Sequence, residues 1–110
     1  MKTSPRSRKL AAIVHEHLPT IIQKYLTPNQ IGFLTITGVE ISGDLGIANV
    51  FFTTIGSANE AEKHLRKISR KIVYELLKIV KLRREIVLNW KRDETGKIIG
   101  QIDNLNPAKK

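Results

Sequence analysis

Few residues in this chain could carry bond chemistry, and those few are poorly spaced for it. The candidates are three histidines, ten acids and a few serines, and there is no cysteine to supply a thiolate or a disulfide. His15 and His17 are two apart on a stretch that reads as helix. That puts them about 200° apart around the axis, so they cannot grip one ion. His64 is remote in sequence, and all three read as surface or boundary histidines. No pair of acids stands out as an acid/base couple, and Gly-x-Ser-x-Gly and Walker-type loops are absent. Ser42 and Ser57 have turn and capping roles, with no histidine beside them in the pattern. The residues point away from catalysis and imply neither a metal nor another cofactor.

The positive signal is charge. The 110 residues carry a formal net charge of +9, and the isoelectric point is about 10.1. Such a balance favours a polyanionic partner, either nucleic acid or an anionic membrane. From residue 63 to 84 there are nine Lys or Arg against Glu75 alone. Stepped at about 100° per residue, Lys63, Lys67, Arg70, Tyr74, Lys78 and Lys81 fall within roughly 80° of one another. Ala61, Leu65, Ile68, Ile72, Leu76 and Ile79 fall on the opposite side. Lys63/Lys67 and Lys67/Lys71 set like charges four apart, which costs a few tenths of a kcal/mol per pair unless a partner neutralises them. Arg83 and Arg84 close the helix at its negative end. Tyr74 could stack on a base, cover lysine stems or simply pack as an amphipathic side chain. Arg6, Arg8 and Lys9 form a second cluster or a flexible basic arm. Surfaces of this kind contact phosphates, which positions a nucleic acid without reading its sequence. Six aromatics in all argue against a sheet that stacks bases.

The elements that must hold these side chains follow from periodicity. Residues 1–7 read as a polar, mobile leader. From Arg8 to Leu26, apolar residues recur at three and four, which predicts a helix. Pro19 predicts a kink or short break near His17–Leu18, and Thr27-Pro28-Asn29 ends the helix. Gly32–Ile41 alternates as a strand, but its phase changes past Gly38, which predicts a bulge at Thr37–Gly38. Ser42-Gly43-Asp44 is turn chemistry, and Ile47–Ile55 is a second strand, making an antiparallel hairpin with the first. Ser57 and Glu60 have capping-box spacing at the start of one long helix, Ser57 to about Val80. Glu85–Trp90 is a third strand, Asp93–Gly96 a turn, and Ile98, Ile102 and Leu105 a weak last helix or a packed tail. Residues 106–110 read as disordered. The order predicts an α+β domain at 8–92, with two amphipathic helices on one face of a three-stranded sheet and a more polar opposite face. Residues 93–110 form a polar tail.

The apolar face of the basic helix is needed for the core, which disfavours membrane insertion. No run approaches the roughly 18 apolar residues of a spanning helix. Leu10–Val14 is too short for a signal peptide, and an organelle transit segment is a minor alternative, since the first 15 residues contain no acid. Three functions compete: a factor that binds one folded RNA by its shape, a general RNA-binding domain with messenger or small-RNA targets, and a module that docks on anionic membrane or protein.

Particular stretches favour the first. Gly32-Phe33-Leu34-Thr35-Ile36-Thr37-Gly38-Val39-Glu40-Ile41 is followed by Ser42-Gly43-Asp44-Leu45-Gly46-Ile47-Ala48 and then Val50-Phe51-Phe52. Leu82-Arg83-Arg84 precedes a strand carrying Leu88. In this order and spacing the chain resembles the ribosome-binding factor A family over about residues 6–92. The second stretch is similar to that family's Ser-x-Asp-Leu-x-x-Ala turn. The resemblance implies a KH-like fold (type II-like, α-β-β-α-kink-α-β) without the Gly-x-x-Gly loop. The family kinks its long helix at Ala-x-Gly, and here that position holds Ile68-Ser69-Arg70. Pro19, and Ile86-Val87 where the family has proline, are further departures. The resemblance also implies a monomeric, non-catalytic, cytoplasmic bacterial protein. Such a protein binds 16S rRNA on the immature 30S subunit, assists late maturation and end processing, and matters most in the cold.

Overall fold

The computed structural model describes residues 2–82 and 85–93. Arg83, Arg84 and the weak helix or packed tail expected beyond Asp93 lie outside the described residues. The elements are α1 (Pro5–Tyr25), α2 (Pro28–Ile31), β1 (Phe33–Ile41), β2 (Ile47–Ile55), α3 (Ala58–Lys67), α4 (Ser69–Ile79) and β3 (Val87–Arg92). The strands lie in the order β1-β2-β3, with β1 antiparallel and β3 parallel to β2. This is the KH-like α+β arrangement, with one short helix, α2, added.

The first helix starts earlier than its apolar period suggests. Ser4 is its N-cap and Pro5 its first residue, where proline's fixed φ fits and its missing N–H costs nothing. The Ser4 N–H donates to Ser7 Oγ at 2.7 Å and the Ser7 N–H to Ser4 Oγ at 3.1 Å, a closed capping box. Ser7 is fully buried. Residues 5–7 thus belong to the helix, and the Gly43 N–H donates to the Lys2 carbonyl, seating the leader on the β1–β2 turn. The break expected near His17–Leu18 does not occur: α1 runs unbroken through Pro19. Pro19 is exposed, while Val14, Leu18, Ile21 and Ile22 are buried on the opposite side and hold both halves against the sheet.

Thr27-Pro28-Asn29 ends α1 and also starts α2. The Thr27 N–H donates to Gln30 Oε1 at 2.9 Å, and Pro28 sits at the first helical position. Gly32 then turns the chain at φ +69°. A Cβ there would meet the Ile55 carbonyl oxygen at 2.3 Å, so only glycine fits.

The bulge is where the phase change places it. Ile36 pairs with Phe52 and Gly38 with Phe51, leaving Thr37 as the extra residue. His15 Nε2 lies 3.0 Å from the Ile36 carbonyl beside the bulge, a half-buried boundary histidine bound to the edge of the sheet. In the turn, Ser42 Oγ accepts from the Ile47 N–H at 3.0 Å and donates to Asp44 Oδ1 at 2.7 Å. Leu45 takes φ 62°, an uncommon value for a branched side chain.

Ile36, Ile41, Ala48, Val50, Phe52 and Trp90 of the sheet, with Ile86 just before β3, are buried in the core with the helices. The third strand begins two residues later than its alternation suggests, where the Val87 N–H reaches the Gly46 carbonyl, but its inward face is as expected. The outer face is less polar than expected, because Phe33, Ile55, Ile47 and Val87 are all exposed.

Candidate nucleic-acid interface

The single long helix expected from Ser57 to Val80 is two helices. The Ser57 hydroxyl accepts from the Glu60 N–H at 3.2 Å and starts α3, but Glu60 makes no return bond to the Ser57 amide. At Ile68 the backbone leaves helical geometry, with φ −102° and ψ 7°, and α4 begins at Ser69. The break therefore falls at Ile68-Ser69-Arg70 without any glycine. Ile68 is buried and keeps the apolar face continuous across it. The Ser69 hydroxyl donates to the Leu65 carbonyl at 3.0 Å and accepts from Trp90 Nε1 at 2.8 Å. A hydroxyl bonding back four residues bends a helix, and the indole fixes that bend on β3.

Packing of the two helices orients the basic residues. Ala61, Leu65, Ile72 and Leu76 are buried under the ridge, together with Val73, which the spacing does not assign to the apolar stripe. Ile79, assigned to it, is 43% exposed at the end of α4. Lys63, Lys67, Arg70, Lys71, Tyr74, Lys78 and Lys81 are all exposed. Among the described residues, Lys63, Lys67 and Arg70 form no ion pair. Arg66 differs: it is paired with Glu62, which also holds Arg92 Nε at 3.5 Å. That one carboxylate offsets part of the charge of two arginines, and the Arg66 side chain remains 69% exposed.

Tyr74 is 62% exposed, with Lys78 Nζ 4.6 Å from its ring centroid, so it covers a lysine rather than the core. Lys71 Nζ lies 5.4 Å from the Tyr25 ring centroid at the end of α1. The Tyr25 hydroxyl donates to Glu75 Oε2 at 2.8 Å, and Lys24 Nζ donates to Glu75 Oε1 at 3.2 Å. The Tyr25 hydrogen bond, then that of Lys24, holds the Glu75 carboxyl below its ordinary range. The same bond, with some burial, raises the Tyr25 phenol above its own. This network spans fifty residues of sequence, so no local pattern could have revealed it. It fixes the ridge against α1.

Arg6, Arg8 and Lys9 are exposed on the first turns of α1, and Arg8 donates to Thr3 Oγ1 at 3.3 Å. Arg8 is about 25 Å along α1 from Tyr25, so this cluster lies apart from the point where Lys71 meets α1. Among the described residues there is no group of three His, Cys, Asp or Glu placed to hold a metal. No helix among them is long and apolar enough to cross a membrane.

A KH-like α+β domain with a glycine-free helix break and a ridge of exposed cations defines the class of protein. The family described as ribosome-binding factor A matches residues 6–106. The chain belongs to that family. It is 38% identical to the ribosome-binding factor A of Trichlorobacter lovleyi, covering 91% of this chain and 84% of that protein. It is 34% identical to that of Pelobacter propionicus, covering 93% and 86%. In fold it matches the crystal structure of ribosome-binding factor A from Thermus thermophilus with a TM-score of 0.72 at 24% identity, over 78% of this chain and 94% of that one. It also matches a Thermus thermophilus homology model fitted into a cryo-EM map of a 30S complex, with a TM-score of 0.63 at 20% identity, over 84% and 96%.

Proposed function

We propose that this protein is a non-catalytic factor that binds the 30S ribosomal subunit through its 16S rRNA, in the cytoplasm, and assists late maturation and rRNA processing. The contact surface is the ridge of Lys63, Lys67, Arg70, Lys71, Lys78 and Lys81, with Arg83 and Arg84 continuing it in sequence. Arg6, Arg8 and Lys9 add a separate phosphate contact. One observation carries the reading: Lys63, Lys67 and Arg70 are exposed and form no ion pair, while nearby Arg66, also exposed, already has Glu62 as a partner. Phosphates would supply the missing counter-charge. The family's kinship with a protein fitted into a 30S map supports the choice of RNA. Two helices braced by Ser69–Trp90 and Tyr25–Glu75 present the cations in one arrangement. Such a surface favours the one RNA conformation that matches it and shifts the population toward it.

Sedimentation of a cell lysate tests this. The protein should travel with free 30S particles and be depleted from 70S. An even spread over polysomes would instead support a general RNA-binding domain.

A further inference from the structure

The outward side of α4 carries one large aromatic ring. Tyr74 is 62% exposed, and among the described residues its hydroxyl makes no hydrogen bond. The core does not need it, because Ile72, Val73 and Leu76 fill the inward side of the helix. Arg70 and Lys78, both exposed, lie four residues to either side of it on α4, each roughly 6 Å away along the axis. A flat ring thus stands between two cations in the middle of the ridge. The other tyrosine is engaged differently. Tyr25 is half-buried, donates its hydroxyl to Glu75 and holds Lys71 Nζ 5.4 Å from its ring centroid.

Cations hold the phosphates of a strand, and an aromatic face among them takes its bases. Lys78 Nζ rests 4.6 Å from the Tyr74 centroid. An exposed contact of that kind shifts an equilibrium only about two- to fivefold. A base stacked on an aromatic side chain shifts it by roughly fivefold to a hundredfold. The base therefore displaces the ammonium, and the flexible lysine stem lets Nζ swing to a neighbouring phosphate. Little is lost in the exchange, since Lys78 keeps a partner throughout.

On the reading of the ridge as an RNA contact, on which this inference rests, we propose that Tyr74 is a stacking platform for one unpaired base of the bound RNA, with Arg70 and Lys78 on the flanking phosphates. A base inside a duplex has both faces stacked already, so the ring selects a single-stranded or bulged nucleotide. The phosphate contacts position the RNA without regard to its pairing. The ring adds a preference for the unpaired state of the segment it grips, and binding shifts that segment toward it.

Oligoadenylate and inorganic polyphosphate are the probes, one with bases and one without. Tyr74→Leu removes the ring and keeps good helix propensity at an exposed position. It should weaken oligoadenylate binding by roughly fivefold or more, and leave polyphosphate binding and the salt slope unchanged. Tyr74→Phe should bind both probes as the wild type does. In proton NMR of the wild type, the Tyr74 ring signals, assigned by their loss in Tyr74→Phe, should move upfield under adenine while those of Tyr25 move little. Wild-type affinity of Tyr74→Leu for oligoadenylate would overturn the proposal. So would an equal loss on both probes, since Tyr74 would then only place Lys78. Lys67→Glu separates the two claims. If it abolishes oligoadenylate binding while Tyr74→Leu does not weaken it, the ridge stands and the platform falls; if neither variant matters, both fall.

Discussion

The indole Nε1 of Trp90 donates to Ser69 Oγ at 2.8 Å, joining β3 to the point where α3 gives way to α4. Trp90 is 7% exposed, so its N–H has little water to turn to. Ser69→Ala should lower stability by about 1–3 kcal/mol, the cost of stranding a buried donor. Urea midpoints measure it. A double-mutant cycle with Trp90→Phe should show strong non-additivity, and simple additivity would mean that the pair does not act as a unit.

The Tyr25–Glu75 contact predicts a pH dependence at both ends of the scale. Glu75 titrates below the ordinary carboxylate range, chiefly through the Tyr25 hydrogen bond. It therefore stabilises the fold above that range, and the contribution is lost as pH falls through the folded value. Between about pH 6 and pH 3 the wild type should lose more stability than Glu75→Gln. Tyr25 titrates above the ordinary phenol, so its contribution is present below that value and lost as pH rises through the folded one. Absorbance titration of Glu75→Gln should show tyrosinate forming at lower pH than in the wild type.

Much of the fold could be read along the chain because it depends on local alternation. The reversal of phase past Gly38 located the bulge at Thr37, and Leu34/Ile36 against Val39/Ile41 located the inner face. What could not be read arises from contacts between distant segments. Pro19 reads as a break, yet packing of Leu18, Ile21 and Ile22 on both sides of it keeps α1 whole. The continuous period from Ala61 to Leu76 reads as one rod, because Ile68 serves the apolar stripe while its backbone departs from the helix. Two starts were legible in hindsight: Ser4-Pro5-x-Ser7 and Thr27-Pro28-x-Gln30 are both capping patterns. The basic ridge was visible as a stripe of residue types. Glu62 and Arg66 are four apart on α3, a pair the sequence spacing also allows, whereas the reach of the same carboxylate to Arg92 depends on α3 packing against β3.

Gly32 offers a backbone test. It sits at φ +69° against the Ile55 carbonyl. Gly32→Ala should cost on the order of 2–3 kcal/mol through backbone strain and displacement of β2. Thermal unfolding would register this as a lower Tm, and hydrogen exchange should quicken first around Thr54 and Ile55.

The ridge predicts a salt dependence. Binding should weaken steeply as salt rises, because each neutralised phosphate releases counterions. Lys67→Gln should reduce the slope of log affinity against log salt by about one. Arg66→Gln should reduce the slope by less than Lys67→Gln does, since Glu62 already pairs that cation.

The central claim is that the ridge of α3 and α4 is the RNA contact. Its most direct test is cosedimentation of the purified triple variant Lys67→Glu, Arg70→Glu, Lys78→Glu with purified 30S subunits, alongside circular dichroism and a urea midpoint. The prediction is a helical, cooperatively folding protein whose 30S binding falls by at least tenfold. Wild-type binding by a folded triple variant would contradict the claim.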